Sequence, residues 1–361
     1  MTSNPTPRRP LIIAGPCSAE TEEQTLQTCI QLAATGLVDM LRAGVWKPRT
    51  QPGTFEGAGL KGLAWLAKAK SITGLPIAVE AACAKHVENA LEFGVDMLWL
   101  GARTTVNPFS VQDVADAVRG TGTQVYLKNP MVPDVALWSG AVERMLQADV
   151  PSENLGLIHR GFSHTGTCEH RNAPMWHLIF DMRSRYPTLP MICDPSHICG
   201  TRDTLLSVSQ QAADLSYDGL IIESHIHPDQ AWSDARQQLR PMDLARLLSA
   251  IQWRENSTDT PAYARAMEQF RHQIDQMDEE IFSLLARRMD IAEKIGRIKQ
   301  ENNVAVLQGS RWSQIVNNIL SRAPALRLSE EFLRTVLNAI HQESIQRQNA
   351  ILNSTIPHHI P

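Results

Sequence analysis

Between Gly219 and Asp234 the chain reads GLIIESHIHPDQAWSD. An apolar run of the kind made by a fully buried strand stops at Glu223, and His225, His227, Asp229 and Asp234 follow it. Carboxylates and imidazoles at the open edge of a buried strand suit a divalent cation such as Mn²⁺, Fe²⁺ or Zn²⁺. A solvated loop would carry the same residues, so the rest of the chain has to decide. Cys17, in AGPCS, and His197, in DPSH, follow two other short apolar runs. With Glu223 and Asp234 they would bring one thiolate, one imidazole and two carboxylates together from three strands. Cations accompany them: Arg42, Lys47, Arg49, Arg103, Lys128 and Arg160 all stand at or just past the ends of such runs. Cations pooled at one mouth predict a strongly anionic ligand carrying phosphate and carboxylate groups, which arginine forks bind bidentately. Glu80 reads as structural, a carboxylate offsetting its cationic neighbours.

The elements that must position these residues recur regularly. Short apolar runs at 11–15, 38–44, 76–80, 96–102, 124–129, 155–161, 190–194 and 218–223 alternate with helix-like segments. Strand–helix alternation means a parallel sheet, and eight units in roughly 250 residues predict an α/β fold, a (β/α)₈ TIM barrel. A doubly wound sheet would show a glycine-rich dinucleotide fingerprint after the first strand, and none is present. In a barrel the functional residues sit past the C-terminal ends of the strands, where the charged residues fall. The 361 residues predict two domains. A net charge of −4 gives no signal for nucleic acid or an anionic membrane. The apolar runs are too short for a membrane span or a signal peptide. Six cysteines without a C-x-x-C pair fit reduced thiols and a cytoplasmic protein.

After Trp253 the character changes. A polar stretch ending in Pro261 marks a linker over 254–262, between a barrel domain over 1–253 and a helical domain over 263–352; a tail follows over 353–361. Apolar residues from Met267 to Ile298, spaced by threes and fours at first, predict one long helix, with two more over 310–321 and 329–352. A helix on the order of 60 Å long needs other helices and a second chain to cover its stripe. At about 100° per residue, Arg288 and Lys299 lie on one face, whereas Arg271 points roughly 100° away and should serve a different or a partner's site.

The barrel motifs in order (AGPCS, KPRT, GAR, the lysine of YLKN, HRG, DPSH and the final Glu…Asp pair) closely resemble 3-deoxy-D-arabino-heptulosonate 7-phosphate (DAHP) synthase of the compact barrel type. That resemblance implies condensation of phosphoenolpyruvate with erythrose 4-phosphate, the first step of the shikimate pathway of aromatic amino acid biosynthesis. It assigns Cys17, His197, Glu223 and Asp234 to a divalent metal ion, Mn²⁺ first, with Fe²⁺, Zn²⁺ or Co²⁺ as alternatives. Arg103, Lys128, Arg160, Arg42 and Lys47 would bind phosphoenolpyruvate, Arg49 and Thr50 erythrose 4-phosphate, and Lys47 would protonate the new alkoxide. His225, His227 and Asp229 match no ligand position. The related 3-deoxy-octulosonate 8-phosphate synthases resemble the chain less, because KPRT marks the heptulosonate enzymes.

The series Arg271, Asp278, Arg288, Lys299, Arg311, Ser344 and Gln348 resembles the all-helical, AroQ-type chorismate mutases, in which two intertwined chains form two sites. By that resemblance Arg271, Arg288 and Arg311 take the carboxylates of chorismate, Lys299 and Gln348 face the ether oxygen, and Ser344 lines the site. Gln308 and Trp312 stand where the family often has acids. The expected protein is a bifunctional enzyme and homodimer whose helical domain mediates allosteric inhibition by prephenate. The alternative is a dimerising, effector-sensing module with little mutase turnover.

Overall fold

The computed structural model describes residues 9–47, 53, 55–166, 168–254, 260–307 and 309–353. Eight strands form a closed barrel in chain order: β1 (Leu11–Gly15), β2 (Met40–Arg42), β3 (Ile77–Glu80), β4 (Met97–Leu100), β5 (Gln124–Lys128), β6 (Leu155–His159), β7 (Met191–Cys193) and β8 (Gly219–Glu223). Every neighbouring pair is parallel, and β1 closes on β8 with Gly15 opposite Glu223. The apolar runs are strands because both faces are covered. One set, including Ile13, Met97, Trp99 and Ile221, fills the barrel, and a larger set packs the strands against the outer helices.

The barrel's helices are α1 (Glu22–Ala34), α2 (Leu60–Thr73), α3 (Ala84–Glu92), α4 (Ala102–Thr105), α5 (Pro108–Val118), α6 (Val135–Gln147), α7 (Trp176–Arg185), α8 (Pro195–Cys199), α9 (Leu205–Asp214) and α10 (Pro241–Ala250). Local chemistry sets their starts. Asp134 accepts hydrogen bonds from the Ala136 and Leu137 amides, so α6 begins directly after it. Two pieces are too short to show a helical period in sequence, yet both carry candidate site residues: Arg103 lies in α4 and His197 in α8. These side chains are offered from single helical turns beyond their strands, not from the strand ends themselves.

The chain divides into two compact units, Met1–Asn256 and Ser257–Pro361. The second contains α11 (Pro261–Glu301), α12 (Gly309–Leu320), α13 (Ala323–Leu326) and α14 (Glu330–Asn353). α11 is a single helix of 41 residues and starts two residues ahead of the expected domain boundary, because a proline's fixed φ fits the first turn. Its C-terminal half packs along α14, burying Met289 and Ala292 against Ser344 and Gln348. Gly296 permits this approach, since a Cβ there would lie 3.2 Å from the Gln348 Cα. The N-terminal half is bare within the unit: Phe270, Ile274, Met277 and Ile281 are each more than half exposed. Among the described residues no helix is long and apolar enough to cross a membrane. Most of the linker (255–259) and most of the tail (354–361) lie outside the described residues.

Candidate active sites

At the C-terminal end of the barrel, ligand atoms of Cys17, Glu223 and Asp234 all lie within 4.8 Å of one another. Cys17 Sγ is 3.5 Å from Asp234 Oδ2 and 3.1 Å from Lys47 Nζ. The lysine reaches the sulfur because residue 44 is glycine; a Cβ there would stand 2.5 Å from Lys47 Cε and Nζ. His197 lies at the edge of this group, its Nε2 3.9 Å from Glu223 Oε1. Its Nδ1 is 2.9 Å from Asp194 Oδ2, and Asp194 also caps α8 by accepting from the His197 amide. That contact fixes the ring and leaves Nε2 facing the carboxylates, as a metal-binding imidazole requires. Asp234 adopts φ +46°, a left-handed conformation that aspartate tolerates better than most residues.

The surrounding charges set the ionisation of this group. Burial pushes the Cys17 thiol up to about 12, with Glu223 adding to the effect and Lys47 opposing it. Burial also works against the Asp234 carboxylate, but His197 and Arg171 outweigh it and hold the group down at about 2. Glu223 is lowered against its burial by His197 and Arg42. A thiol beside two firmly ionised carboxylates and a free imidazole nitrogen is a donor set that a divalent cation completes. The residues present fit such an ion.

Two cations expected to bind substrate are engaged inside the protein. Arg42 donates to Glu223 Oε1 at 2.8 Å and Lys128 to Asp194 Oδ2 at 2.6 Å, with all four side chains buried. Buried carboxylates need such partners, because an unpaired buried charge is far costlier than a paired one. Arg160 is also buried, 3.0 Å from Asn172 Oδ1. Burial pushes its guanidinium down to about 10, Asp194 opposing this and the nearby Arg171 and Arg103 adding to it. Arg103 is exposed. Arg49 and Thr50 lie outside the described residues. His225, His227 and Asp229 stand apart from the group: His225 Nε2 turns towards Glu20 at 3.5 Å and Asp229 pairs with Arg202 at 2.8 Å. Sequence reasoning passed over Arg171 and Gln237, which touch the carboxylates directly. Neither stands at the end of an apolar run, so periodicity carries no signal for them.

In the second unit Arg288, Lys299, Arg311, Ser344 and Gln348 line one cavity of about 250 Å³. Arg288 donates to Ser344 Oγ and Lys299 to the Val306 carbonyl at 2.6 Å. Among the described residues, the cavity lining holds three cations and no acid. Trp312 stacks on His341 at 4.1 Å, forming an aromatic wall, while Gln308 lies outside the described residues. Arg271 is exposed and absent from this cavity. Such a site suits a compact dianion with an apolar ring.

Residues 6–259 match the family described as DAHP synthetase I. The chain belongs to this family. Residues 270–349 match chorismate mutase type II, so one chain joins members of two enzyme families, as its motifs predict. The DAHP synthetase part is 32% identical over 228 residues to a phospho-2-dehydro-3-deoxyheptonate aldolase of Thermotoga maritima, covering 63% of this chain and 64% of that one. The chain thus spans just under two thirds of that relative's length. It is 29% identical over 270 residues to a 2-dehydro-3-deoxyphosphooctonate aldolase of Citrifermentans bemidjiense, covering 67% of this chain and 91% of that one. The crystal structure of the Thermotoga maritima DAHP synthase superimposes with a TM-score of 0.60 at 29% identity, covering 66% of this chain and 67% of that one.

Proposed function

We propose that the barrel unit condenses phosphoenolpyruvate with erythrose 4-phosphate to give DAHP and phosphate, and that the helical unit rearranges chorismate to prephenate. The observation that carries the first half is the Cys17, Glu223 and Asp234 group at the barrel mouth, with Lys47 at its edge and Lys128 and Arg160 beside it. In the reaction the methylene carbon of phosphoenolpyruvate bonds to the aldehyde carbon, water adds at carbon two, and phosphate leaves. Cys17, His197, Glu223 and Asp234 would hold a divalent ion, Mn²⁺ by preference, which supplies Lewis-acid polarisation of the aldehyde oxygen. Lys47, 3.1 Å from the Cys17 sulfur, would give a proton to the new alkoxide. Arg103, Lys128 and Arg160 fix the anionic groups of phosphoenolpyruvate, which removes much of the entropic barrier. Arg42 acts through Glu223, which it holds by a buried ion pair.

The test is phosphate release from phosphoenolpyruvate with erythrose 4-phosphate, before and after chelation and after Mn²⁺ is restored. Activity is expected only with metal, and full activity in metal-free protein would reject the reading. The octonate aldolase relatives support a second reading, with a pentose phosphate as acceptor. Arabinose 5-phosphate in the same assay decides between them, and a preference for it would reassign the barrel.

In the helical unit the rearrangement needs no nucleophile, only a compact conformer and cations at the breaking ether. Arg288 and Arg311 would take the carboxylates, and Lys299 and Gln348 the ether oxygen. The bare stripe on α11 supports a homodimer in which Arg271 crosses to the partner's cavity.

The same cavity would report downstream supply to the barrel, with prephenate as inhibitor. A coupling of about 1–3 kcal/mol would change affinity roughly 5–150-fold. Prephenate titrated against phosphate release is expected to inhibit the wild type and to lose potency in Arg288→Ala. Equal potency in both proteins, or no inhibition of the wild type at saturation, would sink this regulation.

A further inference from the structure

Asp234 lies beyond β8, in a left-handed conformation and outside the strand ladder, so strand pairing does not fix its carboxylate. Arg171, from another loop, does so, and two glutamines close to Asp234 in sequence link it to the other donors. Gln237, 1% exposed, donates from Nε2 to Glu223 Oε2 at 2.7 Å and accepts at Oε1 from Arg171 Nη1 at 3.1 Å. The same Arg171 nitrogen donates to Asp234 Oδ1 at 3.0 Å. Gln238 accepts from the Cys17 amide at 2.9 Å and donates to the Ser233 carbonyl at 2.8 Å, next to Asp234. The loop bearing Arg171 is docked on α8: the Arg171 amide meets the Cys199 carbonyl at 3.2 Å, and Asn172 Nδ2 meets the His197 carbonyl at 2.6 Å.

We infer that Arg171 and the pair Gln237–Gln238 form a yoke that sets the spacing of the metal donors, and that the ion's affinity depends on it. The inference rests on the metal reading above and adds positioning residues to it. The yoke spans all four donors. Glu223 and Asp234 share it through their outward oxygens, Cys17 is tied at its backbone, and His197 rides on the helix against which the Arg171 loop rests. The inward-facing Asp234 Oδ2 is left to the sulfur side of the group. Arg171 also offsets carboxylate charge before the ion arrives, which keeps two ionised acids together. Its side chain is 51% exposed, so its effect comes through geometry and its buried partner more than through a screened charge. Residues that orient metal ligands in this way typically govern affinity by about 10–100-fold.

The experiment is calorimetric titration of the full-length, metal-stripped chain with Mn²⁺, for wild type, Arg171→Ala, Arg171→Lys, Gln237→Leu and the double variant Arg171→Ala/Gln237→Leu. Arg171→Ala and Gln237→Leu are each expected to weaken binding by about 10–100-fold, with Arg171→Lys recovering part of the loss. The double variant should fall little below the worse single one, because both break the same link. Arg171 is at the surface, so its alanine variant remains informative even if Gln237→Leu fails to fold. Mn²⁺ affinity of Arg171→Ala within about twofold of wild type would overturn the inference, as would losses that add fully in the double variant. A wild type that binds no Mn²⁺ would overturn it together with the metal reading, whereas normal wild-type binding with an indifferent Arg171→Ala would overturn the yoke alone.

Discussion

Replacing Cys17 with alanine is expected to lower phosphate release from phosphoenolpyruvate and erythrose 4-phosphate to roughly a thousandth of wild type or less. The sulfur is the one soft donor in the group and touches both Lys47 and Asp234. Its loss removes a ligand and frees the lysine ammonium to swing onto the carboxylates, where it would compete with the ion. Lewis-acid stabilisation is worth several kcal/mol, and each 1.4 kcal/mol is about a factor of ten in rate. Folding should survive, because a buried cysteine exchanged for alanine leaves only a small void. Chorismate turnover by the other unit provides the internal control. Phosphate release within tenfold of wild type, at saturating Mn²⁺, would remove Cys17 from the metal group. Loss of both reactions would point to misfolding instead.

Replacing Arg288 with alanine is expected to cut chorismate turnover by about 10²–10³-fold, the usual cost of removing one preorganised donor to a developing charge. Arg288 lines the cavity, and its hydrogen bond to Ser344 presets the guanidinium. Mn²⁺ binding and phosphate release without prephenate should be unchanged, since the residue lies in the other compact unit. Subunit mixing extends the test to the proposed dimer. If Arg271 serves the partner's cavity, Arg271→Ala and Arg288→Ala chains are each inactive alone. An equal mixture, exchanged through dissociation, regains about a quarter of wild-type sites because each mixed dimer holds one intact cavity. A mixture that stays inactive after verified exchange would place Arg271 outside the partner's site. Unchanged turnover in Arg288→Ala would reject the role of the cavity itself.

The barrel was legible in the sequence because its signal is local. Each strand is a short apolar run, and each outer helix buries one face at a period near 3.6. Once eight such units alternate, chain closure brings their ends together whatever the loop details. Cys17, Lys47, Glu223 and Lys128 could therefore be placed at one mouth from their positions after apolar runs alone. The long helix α11 was equally readable, and the helical angle between Arg288 and Lys299 was enough to put both in one cavity.

The tertiary structure decided which polar residues face each other, and that depends on contacts distant in sequence. Glu223 ends β8 and four more polar candidates follow it, yet only Glu223 and Asp234 join Cys17, because Asp234 takes a left-handed turn and is held by Arg171 from another loop. His225, two residues past Glu223, turns instead to Glu20 across the barrel rim. Arg42 and Lys128 carry the charge that the sequence promised, but burial directs it first to Glu223 and Asp194. Gln237 and Arg171 had no sequence signal at all: an amide and a guanidinium acquire their function only when folding sets them between two carboxylates. Hydrophobic periodicity encodes where a backbone runs, whereas the direction of a polar side chain is fixed by the partners that long-range packing supplies.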